Sequence, residues 1–462
     1  MRFYFFILLV LGTVTATWAQ SGNNADQALL AKSIIPTPQI AKILISGNRH
    51  TKPQIIRREM KTQVGDTVDI AILQADQNRI HNLGLFNRVE IDSLQRPEGV
   101  HLLVGVTEYP LFPFYISPFY ILRRNNLDWD KLSYGAGIAH LNFRGRNEKA
   151  VISAWAGYDP GFAVDYSNPW LFGPMQLLTS FRFAKQRVRD LSFANIDSTV
   201  DQKRIGGAWS IGRRFGLFTY LSLSFGYAEL IYDPPEPAKT LNPSGRDHLP
   251  SVGLAFRYDT RDLFEYPRSG VFLELWGKQT GLKSNHVHFW RYGGDFRGYK
   301  KIYRSLSIGA RAMANLSQDR IPRYERVFLG YATRVRGYFH HRKDQVTGQE
   351  EKKDEGENLA LASVELRFPI LPWRYFSVSD APALASYLQN MKFGLSAGIF
   401  ADYGRVWFQD PPADGSRRVL PPRFGYGAGL HFHLPYINLL RVELAFDEDG
   451  RSEWITDIGV AF

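Results

Sequence analysis

The chain has 462 residues, of which 44% are hydrophobic, 14% aromatic and 22% charged, with a formal net charge of +11 and no cysteine. The lack of cysteine excludes disulfides, thiolate catalysis, cysteine-held zinc and thiolate-held iron–sulfur clusters. Mean hydropathy is −0.25, and past residue 20 no run approaches the roughly 18 apolar residues of a membrane-spanning helix. A large soluble protein and an outer-membrane β-barrel remain, and the 40 glycines and many aromatic side chains favour the barrel.

Residues 1–19 have the pattern of a secretory signal peptide. Arg2 supplies the positive start, residues 3–14 are mostly apolar, and Ala19 provides a small residue for cleavage. The apolar stretch is too short to span a bilayer, so we expect removal after Ala19, with residues 20–38 as a linker. For an exported protein, the positive charge predicts contact with anionic lipid head groups and no nucleic-acid partner.

Residues 39–109 have the pattern of a compact α/β domain. The predicted elements are strands at 40–46, 88–94 and 100–108 and helices at 52–60 and 69–83. Thr51 is expected to cap the first helix. The order β-α-α-β-β and the segment LGLFNRV at 83–89 closely resemble a POTRA domain. That resemblance implies a periplasmic domain that receives unfolded polypeptides by adding strands to an exposed sheet edge.

From residue 110 to residue 462 the helical period disappears and apolar side chains alternate with small or polar ones. In residues 220–231 the large apolar side chains share one face, while serine, glycine and alanine share the other. An apolar outer face and a polar inner face are typical of a transmembrane barrel. The pattern predicts an all-β membrane protein, a 16-stranded antiparallel barrel whose strands start near residues 113, 132, 149, 162, 176, 202, 220, 249, 271, 286, 305, 358, 391, 423, 439 and 453.

The even strand count predicts the orientation of the barrel. With an even number of strands both ends face the periplasm, where the POTRA-like domain must lie. Short turns such as 144–147 are then periplasmic, and the long insertions at 231–248, 317–357 and 408–422 are extracellular.

Four motifs stand out in the predicted barrel. A long loop reads RYERVFLG at 323–330 and then RVRGY at 334–338, a stretch that contains Val335, Arg336, Gly337 and Tyr338. A periplasmic turn contains Tyr258, Asp259, Arg261 and Asp262, and the motifs VELRFP at 364–369 and FADYG at 400–404 complete the set. Together they resemble the outer-membrane assembly-factor and surface-antigen superfamily of BamA-, TamA- and FhaC-like proteins. The resemblance covers residues 39–462, although only one POTRA-like module fits before the barrel.

The resemblance implies that this loop folds back into the lumen, where Arg336, next to Gly337, meets acidic side chains. Strand alternation points Glu365 and Asp402 into the lumen from neighbouring strands. An arginine between two carboxylates in a confined lumen can form charge-assisted hydrogen bonds that far exceed a surface ion pair. The alternative is that Arg336 is a solvated loop charge.

The first and last strands form the predicted seam of the barrel. The first strand contains Pro113 and Pro118, and each proline removes a hydrogen-bond donor from the ladder. The last strand is expected to run through Gly459 to Phe462, with Phe462 on the face that Trp454 shares. A terminal phenylalanine resembles the usual ending of outer-membrane barrels. A weakly bonded seam would open sideways and expose an edge to a client strand; the alternative is a closed barrel with bulges at the prolines.

Three motifs with enzymatic or metal-binding patterns are accounted for by strands. The segment GLSAG at 394–398 matches a hydrolase elbow but continues an alternating strand. The pairs His286/His288 and His431/His433 lack a third ligand nearby in the sequence. We therefore expect no catalytic residue, no metal site and no cofactor, and the protein is predicted not to be an enzyme.

The function predicted on this basis is assembly of outer-membrane proteins by strand pairing and lateral opening of the seam. The expected partners are unfolded outer-membrane or exported proteins and outer-membrane lipids, with periplasmic chaperones or accessory lipoproteins as candidates. The expected location is the outer membrane, with the N-terminal domain in the periplasm. Two alternatives remain: a secretion pore of the two-partner type, and a passive channel or surface protein.

Overall fold

The computed structural model describes most of the chain beyond residue 38. The described residues are 39–109, 115–122, 132–189, 201–233, 235, 240–282, 286–303, 305–330, 333–338, 354–377, 389–410, 419–435 and 438–462. The predicted signal peptide, the linker at 20–38 and Pro113 lie outside these residues. In the described part of the chain, no helix is long and apolar enough to cross a membrane.

The N-terminal domain has the predicted β-α-α-β-β order. Its elements are β1 (Ile40–Ser46), α1 (Pro53–Arg57), α2 (Ile70–His81), β2 (Phe86–Arg96) and β3 (Gly99–Glu108). Strand β3 lies at the centre of the sheet, parallel to β1 and antiparallel to β2. The helices pack on one face of this sheet around a core that includes Ile56, Ile80, Phe86 and Val104. Both β1 and β2 are therefore edge strands of the domain.

The predicted cap of the first helix is wrong. Lys52 occupies the N-cap position of α1 without a side-chain hydrogen bond, and Pro53 is the first helical residue. The Thr51 hydroxyl instead accepts a hydrogen bond from the Asn142 side chain at 2.9 Å. Asn142 belongs to the barrel, so Thr51 serves the contact between domain and barrel rather than the helix.

The remaining chain forms a closed antiparallel barrel, as predicted. In chain order its strands are β4 (Tyr115–Leu122), β5 (Leu132–Phe143), β6 (Glu148–Gly157), β7 (Gly161–Leu171), β8 (Leu177–Arg189), β9 (Asp201–Phe215), β10 (Thr219–Asp233), β11 (Arg246–His248), β12 (Ser251–Asp259), β13 (Gly270–Thr280), β14 (Phe289–Tyr303), β15 (Leu306–Gln318), β16 (Val327–Phe328), β17 (Glu355–Gly356), β18 (Asn358–Phe376), β19 (Met391–Trp407), β20 (Arg423–Leu434), β21 (Asn438–Phe446) and β22 (Ser452–Ile458). Among the described residues sixteen of these form the barrel wall, each starting within three residues of its predicted position. Strand β11 is a short addition beside β10, and β16 pairs with β17 in a loop.

Side chains alternate across the wall as a membrane barrel requires. On β10 the outward residues Leu221, Leu223, Phe225 and Tyr227 are exposed, while Ser222 and Ser224 lie on the lumen side. Because lipid offers no hydrogen bonds, closure of the ladder satisfies the backbone groups that an open sheet would expose.

Extracellular connections pack into the upper part of the barrel. One apolar cluster joins β10, the connection before β12, the start of β14 and the connection after β15, and its members include Leu230, Leu249, Phe289 and Ile321. A second cluster joins the long loop after β15 to the wall, and its members are Val327, Leu329, Val335, Leu359, Leu361 and Val406. Burial of these side chains from water stabilises a folded loop inside the barrel.

Candidate functional site

Arg336 lies inside the barrel with an exposed fraction of 1%. Its Nε and Nη2 atoms donate to the two carboxylate oxygens of Asp402 at 2.7 and 3.0 Å. Its Nη1 atom donates to Glu365 and to Glu443, both at 3.0 Å. The guanidinium carbon lies 3.4 Å from the centroid of the Phe400 ring. The structure thus brings Arg336 to both carboxylates that the sequence singled out and to a third.

Two further buried arginines balance the charge of these carboxylates. Arg367 donates from Nε to Glu365 at 2.6 Å, and Arg441 donates from Nη1 to Glu443 at 2.7 Å. Each buried carboxylate therefore has a cationic partner, and removal of one partner would leave an uncompensated charge in a dry site. We call Arg336, Glu365, Asp402 and Glu443 the loop anchor.

Glu443 is the member of the loop anchor that the sequence analysis missed. It lies on β21 and is fully buried together with Arg441, two residues earlier on the same face. The alternation of side chains along β21 could have indicated that Glu443 and Arg441 point into the lumen. Only closure of the barrel brings β21 within reach of the loop that departs from β15, so no local pattern paired Glu443 with Arg336.

Close backbone approaches fix the loop beside its charges. Gly337 has φ +93°, and a Cβ there would lie 2.9 Å from the carbonyl oxygen of Phe446. A Cβ on Gly425 would lie 1.9 Å from the carbonyl oxygen of Arg336. These two positions accept glycine alone, one for its left-handed backbone and the other for its lack of a side chain.

The neighbours of Arg336 in the motif hold the loop by other means. Val335 is completely buried in the apolar cluster with Leu329 and Val406. The Tyr338 hydroxyl donates to the carbonyl of Phe424 at 3.1 Å. Burial raises the pKa of Tyr338 to about 12, so the phenol keeps its proton and remains a donor.

The wall formed by β14 and β15 also holds the loop. Arg311 donates to the carbonyl of Thr333 at 2.7 Å, and its other nitrogens bond Asp295 at 3.0 and 2.8 Å. Arg291 on β14 donates to the carbonyl of Glu325. Hydrogen bonds of arginine side chains therefore hold the loop against several wall strands between β14 and β21.

The N-terminal domain docks on the periplasmic turns of the barrel. Glu59 receives two hydrogen bonds of 2.7 Å from the guanidinium of Arg214 on β9, and both side chains are buried. The backbone amide of Lys52 donates to the carbonyl of Gly145 at 3.0 Å. Asn82, just after α2, bonds the turn between β12 and β13 through the Asp262 carbonyl and the Phe264 amide at 3.0 and 2.9 Å.

The predicted turn motif shapes this docking platform. Asp259 bonds the Arg261 guanidinium at 2.9 and 2.7 Å. One oxygen of Asp262 accepts from the amides of Leu263 and Arg268, each at 2.9 Å. Tyr258 lies on the outward face of β12 and is exposed. Three of the four predicted motif residues therefore order the turn, and Tyr258 does not join them.

Glu265 in the same turn joins domain and barrel electrostatically. It lies 3.4 Å from His81 of α2 and also bonds Lys392 at the start of β19. Burial by itself would raise the pKa of Glu265, but the His81 hydrogen bond and the Lys392 charge outweigh it and lower the pKa to about 2. The carboxylate is thus charged throughout the physiological range.

The seam joins β22 to β4, which are neighbours in the closed sheet. Strand β22 has 7 residues, whereas the other wall strands apart from β4 have 9 to 19 in the described residues. Strand β4 is described over Tyr115–Leu122, and the residues on either side of it lie outside the described part of the chain. Pro118 lies in β4, opposite Ala136 of β5. At the seam, β22 is thus shorter than every other wall strand apart from β4 in the described residues.

The predicted course of the last strand is wrong. Strand β22 ends at Ile458, and Gly459 has φ +90°, which turns the chain out of the strand. Phe462 is 1% exposed and stacks on Tyr299, with ring centroids 6.4 Å apart. Its position is therefore inside the barrel and not on the outer face that Trp454 occupies.

A sixteen-stranded barrel with a loop anchored in its lumen and a small α/β domain docked at its mouth defines a class of outer-membrane β-barrel protein. The Omp85 superfamily domain matches residues 142–462, and the surface antigen variable number repeat, or POTRA, domain matches residues 38–109. The chain belongs to the Omp85 superfamily. The protein is an outer-membrane protein whose POTRA domain lies in the periplasm.

Two curated relatives are outer membrane protein assembly factors BamA. The chain is 23% identical over 351 residues to BamA of Nitratidesulfovibrio vulgaris, a match that covers 71% of this chain and 41% of the relative. It is 22% identical over 431 residues to BamA of Neorickettsia risticii, a match that covers 88% and 52%. The chain thus spans about half the length of these relatives.

Two solved structures share the fold. BamA from Haemophilus ducreyi lacking POTRA domains 1–3 gives a TM-score of 0.54 at 18% identity, covering 91% of this chain and 83% of that one. CdiB from Escherichia coli gives a TM-score of 0.53 at 12% identity, covering 94% and 91%. Both similarities concern the arrangement of domain and barrel.

Proposed function

We propose that the protein inserts other proteins into the outer membrane by pairing their strands with its own seam. The observation that carries this proposal is the seam strand β22, which has only 7 residues and stops before Gly459. Clients are unfolded outer-membrane proteins in this scheme. The work is done by hydrogen bonding and membrane perturbation, without covalent chemistry, a metal or a cofactor.

The free-energy cost of unpaired backbone groups at a strand edge in the membrane supports strand pairing as the mechanism. A strand of 7 residues, such as β22, limits the number of ladder hydrogen bonds that the seam can form, so the seam should open at a small cost. Once open, unpaired N–H and C=O groups face hydrocarbon, where each costs several kcal/mol. A client strand can satisfy them by adding to the edge.

The loop anchor supports lateral opening over axial flow. Arg336 and Val335 lie completely buried inside the barrel, so the docked loop occupies space that a water-filled channel would need. A passive channel requires that this loop leave the lumen, which breaks the five hydrogen bonds of Arg336 to carboxylates.

The docked POTRA domain supports a client route from the periplasm. A cavity of about 490 Å³ lies between α2 and the barrel mouth, lined by Gln77, Asp262, Arg367 and Trp373 among others. The cavity reaches Arg367, which also donates a hydrogen bond to Phe462, four residues beyond the end of the seam strand β22. We propose this cavity as the place where a client segment first meets the barrel.

Reconstitution tests the proposal against both alternatives. The full protein is placed in liposomes, a urea-unfolded barrel client is added, and client folding is followed by the heat-dependent shift of its gel mobility. We expect faster client folding than in empty liposomes. A secretion pore would deliver an exported polypeptide into the liposome interior without inserting the barrel client, and a passive channel would show steady conductance and no acceleration; either result would contradict insertion.

A further inference from the structure

Residues 459–462 are held inside the barrel through two main-chain oxygens. Arg441 on β21 donates from Nε to the carbonyl of Gly459 at 2.5 Å. Arg367 on β18 donates from Nη2 to the main-chain oxygen of Phe462 at 3.2 Å. We call residues 459–462 the tail.

The Phe462 ring packs closely against the inner face of the barrel wall. It stacks on Tyr299, and a Cβ on Gly309 would lie 3.2 Å from the nearest ring carbon. Tyr299, Ala461 and Phe462 form a buried apolar cluster of their own. The inward position of the tail therefore rests on apolar packing as well as on two arginines.

The same two arginines also bond the loop anchor. Arg367 bonds the Glu365 oxygen Oε1, while Arg336 bonds its Oε2. Arg441 bonds the Glu443 oxygen Oε2, while Arg336 bonds its Oε1. Two unbroken paths of hydrogen bonds therefore run from the extracellular loop to the tail, each through one shared carboxylate.

We propose that Arg367 and Arg441 are positioning residues that couple docking of the loop to docking of the tail. If Arg336 leaves, Glu365 and Glu443 each lose a cationic partner in a buried site, which is costly. Arg367 and Arg441 then turn toward the freed carboxylate oxygens and release the main-chain oxygens of Gly459 and Phe462. Loop and tail thus form one two-state element that links the extracellular side to the end of β22.

This coupling deepens the proposed function, since the tail continues directly from the seam strand. With the tail inside, the chain cannot continue β22 past Gly459. With the tail released, residues 459–462 become available to either side of the seam. Loop position would then regulate how much of the seam edge a client meets.

A cysteine probe in the tail tests the coupling, because the natural chain contains no cysteine. Ala461 is buried at 6% exposure, so the thiol of Ala461→Cys should react slowly with a maleimide in the folded full-length protein. Arg336→Ala should raise the labelling rate by about tenfold, a typical coupling between sites. Asp402→Asn should do the same, since Asp402 bonds Arg336 in the loop anchor.

Arg257→Ala serves as the matched control, because Arg257 is a barrel arginine that bonds a glutamate, Glu274, on the adjacent strand. It should leave labelling of Ala461→Cys unchanged. Heat-dependent gel mobility of each variant establishes that its barrel is folded, and if Arg336→Ala fails that criterion, Asp402→Asn carries the test.

The reverse experiment follows from the reciprocity of linked equilibria. The thiol of Val335→Cys lies at a buried position of the loop. Adding Phe462→Ala should raise its maleimide labelling rate by the same factor by which release of the loop raises labelling of the tail. The proposal is overturned if loop variants expose Val335→Cys while Ala461→Cys stays protected. That outcome would not contradict the proposed insertion activity, which is tested separately by client folding in liposomes. A lack of accelerated client folding would instead contradict the proposed function itself.

Discussion

Arg336 and Asp402 meet through two parallel hydrogen bonds of 2.7 and 3.0 Å in a site that is at most 1% exposed. The loop amide of Arg336 adds a third bond to the same carboxylate at 3.1 Å. A two-pronged pair of this kind fixes orientation as well as distance. The loop after β15 therefore has one defined position in the lumen, and most consequences of the structure follow from that position.

Loss of the Arg336 side chain should release the loop while the barrel remains folded. Arg336→Ala leaves Glu365, Asp402 and Glu443 short of a partner, a change that costs about 3–5 kcal/mol for a buried pair. Client-barrel abundance in a depletion strain should fall sharply, whereas heat-dependent mobility of the variant itself stays normal. Arg257→Ala should affect neither measurement.

The effects of Arg336→Ala and Glu365→Ala should be less than additive, because the residues act as one unit. Each single change should lower client levels, and the double change should cost less than the sum. Small additive effects with normal client levels would mean that Arg336 acts as an ordinary loop charge.

A purely steric change should release the loop as well. In Gly425→Ala, the new methyl group would overlap the Arg336 carbonyl oxygen, 1.9 Å away, without altering any charge. We expect the labelling of Val335→Cys to rise as it does for Arg336→Ala. Gly277→Ala on β13 is the control, since its Cβ meets a neighbouring atom only at 3.9 Å. Protection that survives Gly425→Ala would contradict the docked position of the loop.

The ion pair of Glu59 and Arg214 should hold the POTRA domain on the barrel. Glu59→Arg should undock the domain, and the added change Arg214→Glu should restore docking, because the exchanged pair recreates opposite charges. Spin labels at Ile70→Cys and Met175→Cys, both exposed, report the distance between domain and barrel turn. A single unchanged distance in Glu59→Arg would show that the pair is dispensable.

Docking should weaken in strong acid through Glu265. Its pKa is lowered to about 2 from an ordinary value of 4.5, so its contribution, roughly 3 kcal/mol at most, is complete above pH 4.5 and disappears as the pH falls through 2. The spin-label distance should therefore broaden between these two values. Glu265→Gln should remove that part of the pH dependence; an unaltered profile in this variant would assign the transition to other groups.

The sequence predicted the elements that depend on local periodicity. Alternation located the barrel strands, and it pointed Glu365 and Asp402 inward, because side-chain direction along a strand is a local property. The helix boundaries were less accurate: α1 ends at Arg57, while the pattern extended to residue 60. The predicted helix cap at Thr51 was wrong because Thr51 bonds Asn142 of the barrel. A contact of this kind between domains leaves no pattern in the neighbouring sequence.

Features created by closure of the barrel were not predictable from the sequence. Glu443 joins Arg336 across 107 residues of chain, a separation that no motif spans. The inward turn of the tail depends on the backbone of Gly459 and on the seat that Tyr299 provides on a distant strand. Period-two alternation continued through these residues, so it predicted an outward Phe462.

Capture of a client at the seam tests the central claim most directly. A photo-crosslinking residue is placed at Trp454 on β22 or at Leu254 on β12, two outward positions that are 64% and 54% exposed. During client folding in liposomes, we expect crosslinks to the client from position 454 and only to lipid from position 254. Equal capture at both positions, or client folding without any crosslink from position 454, would contradict insertion at the seam.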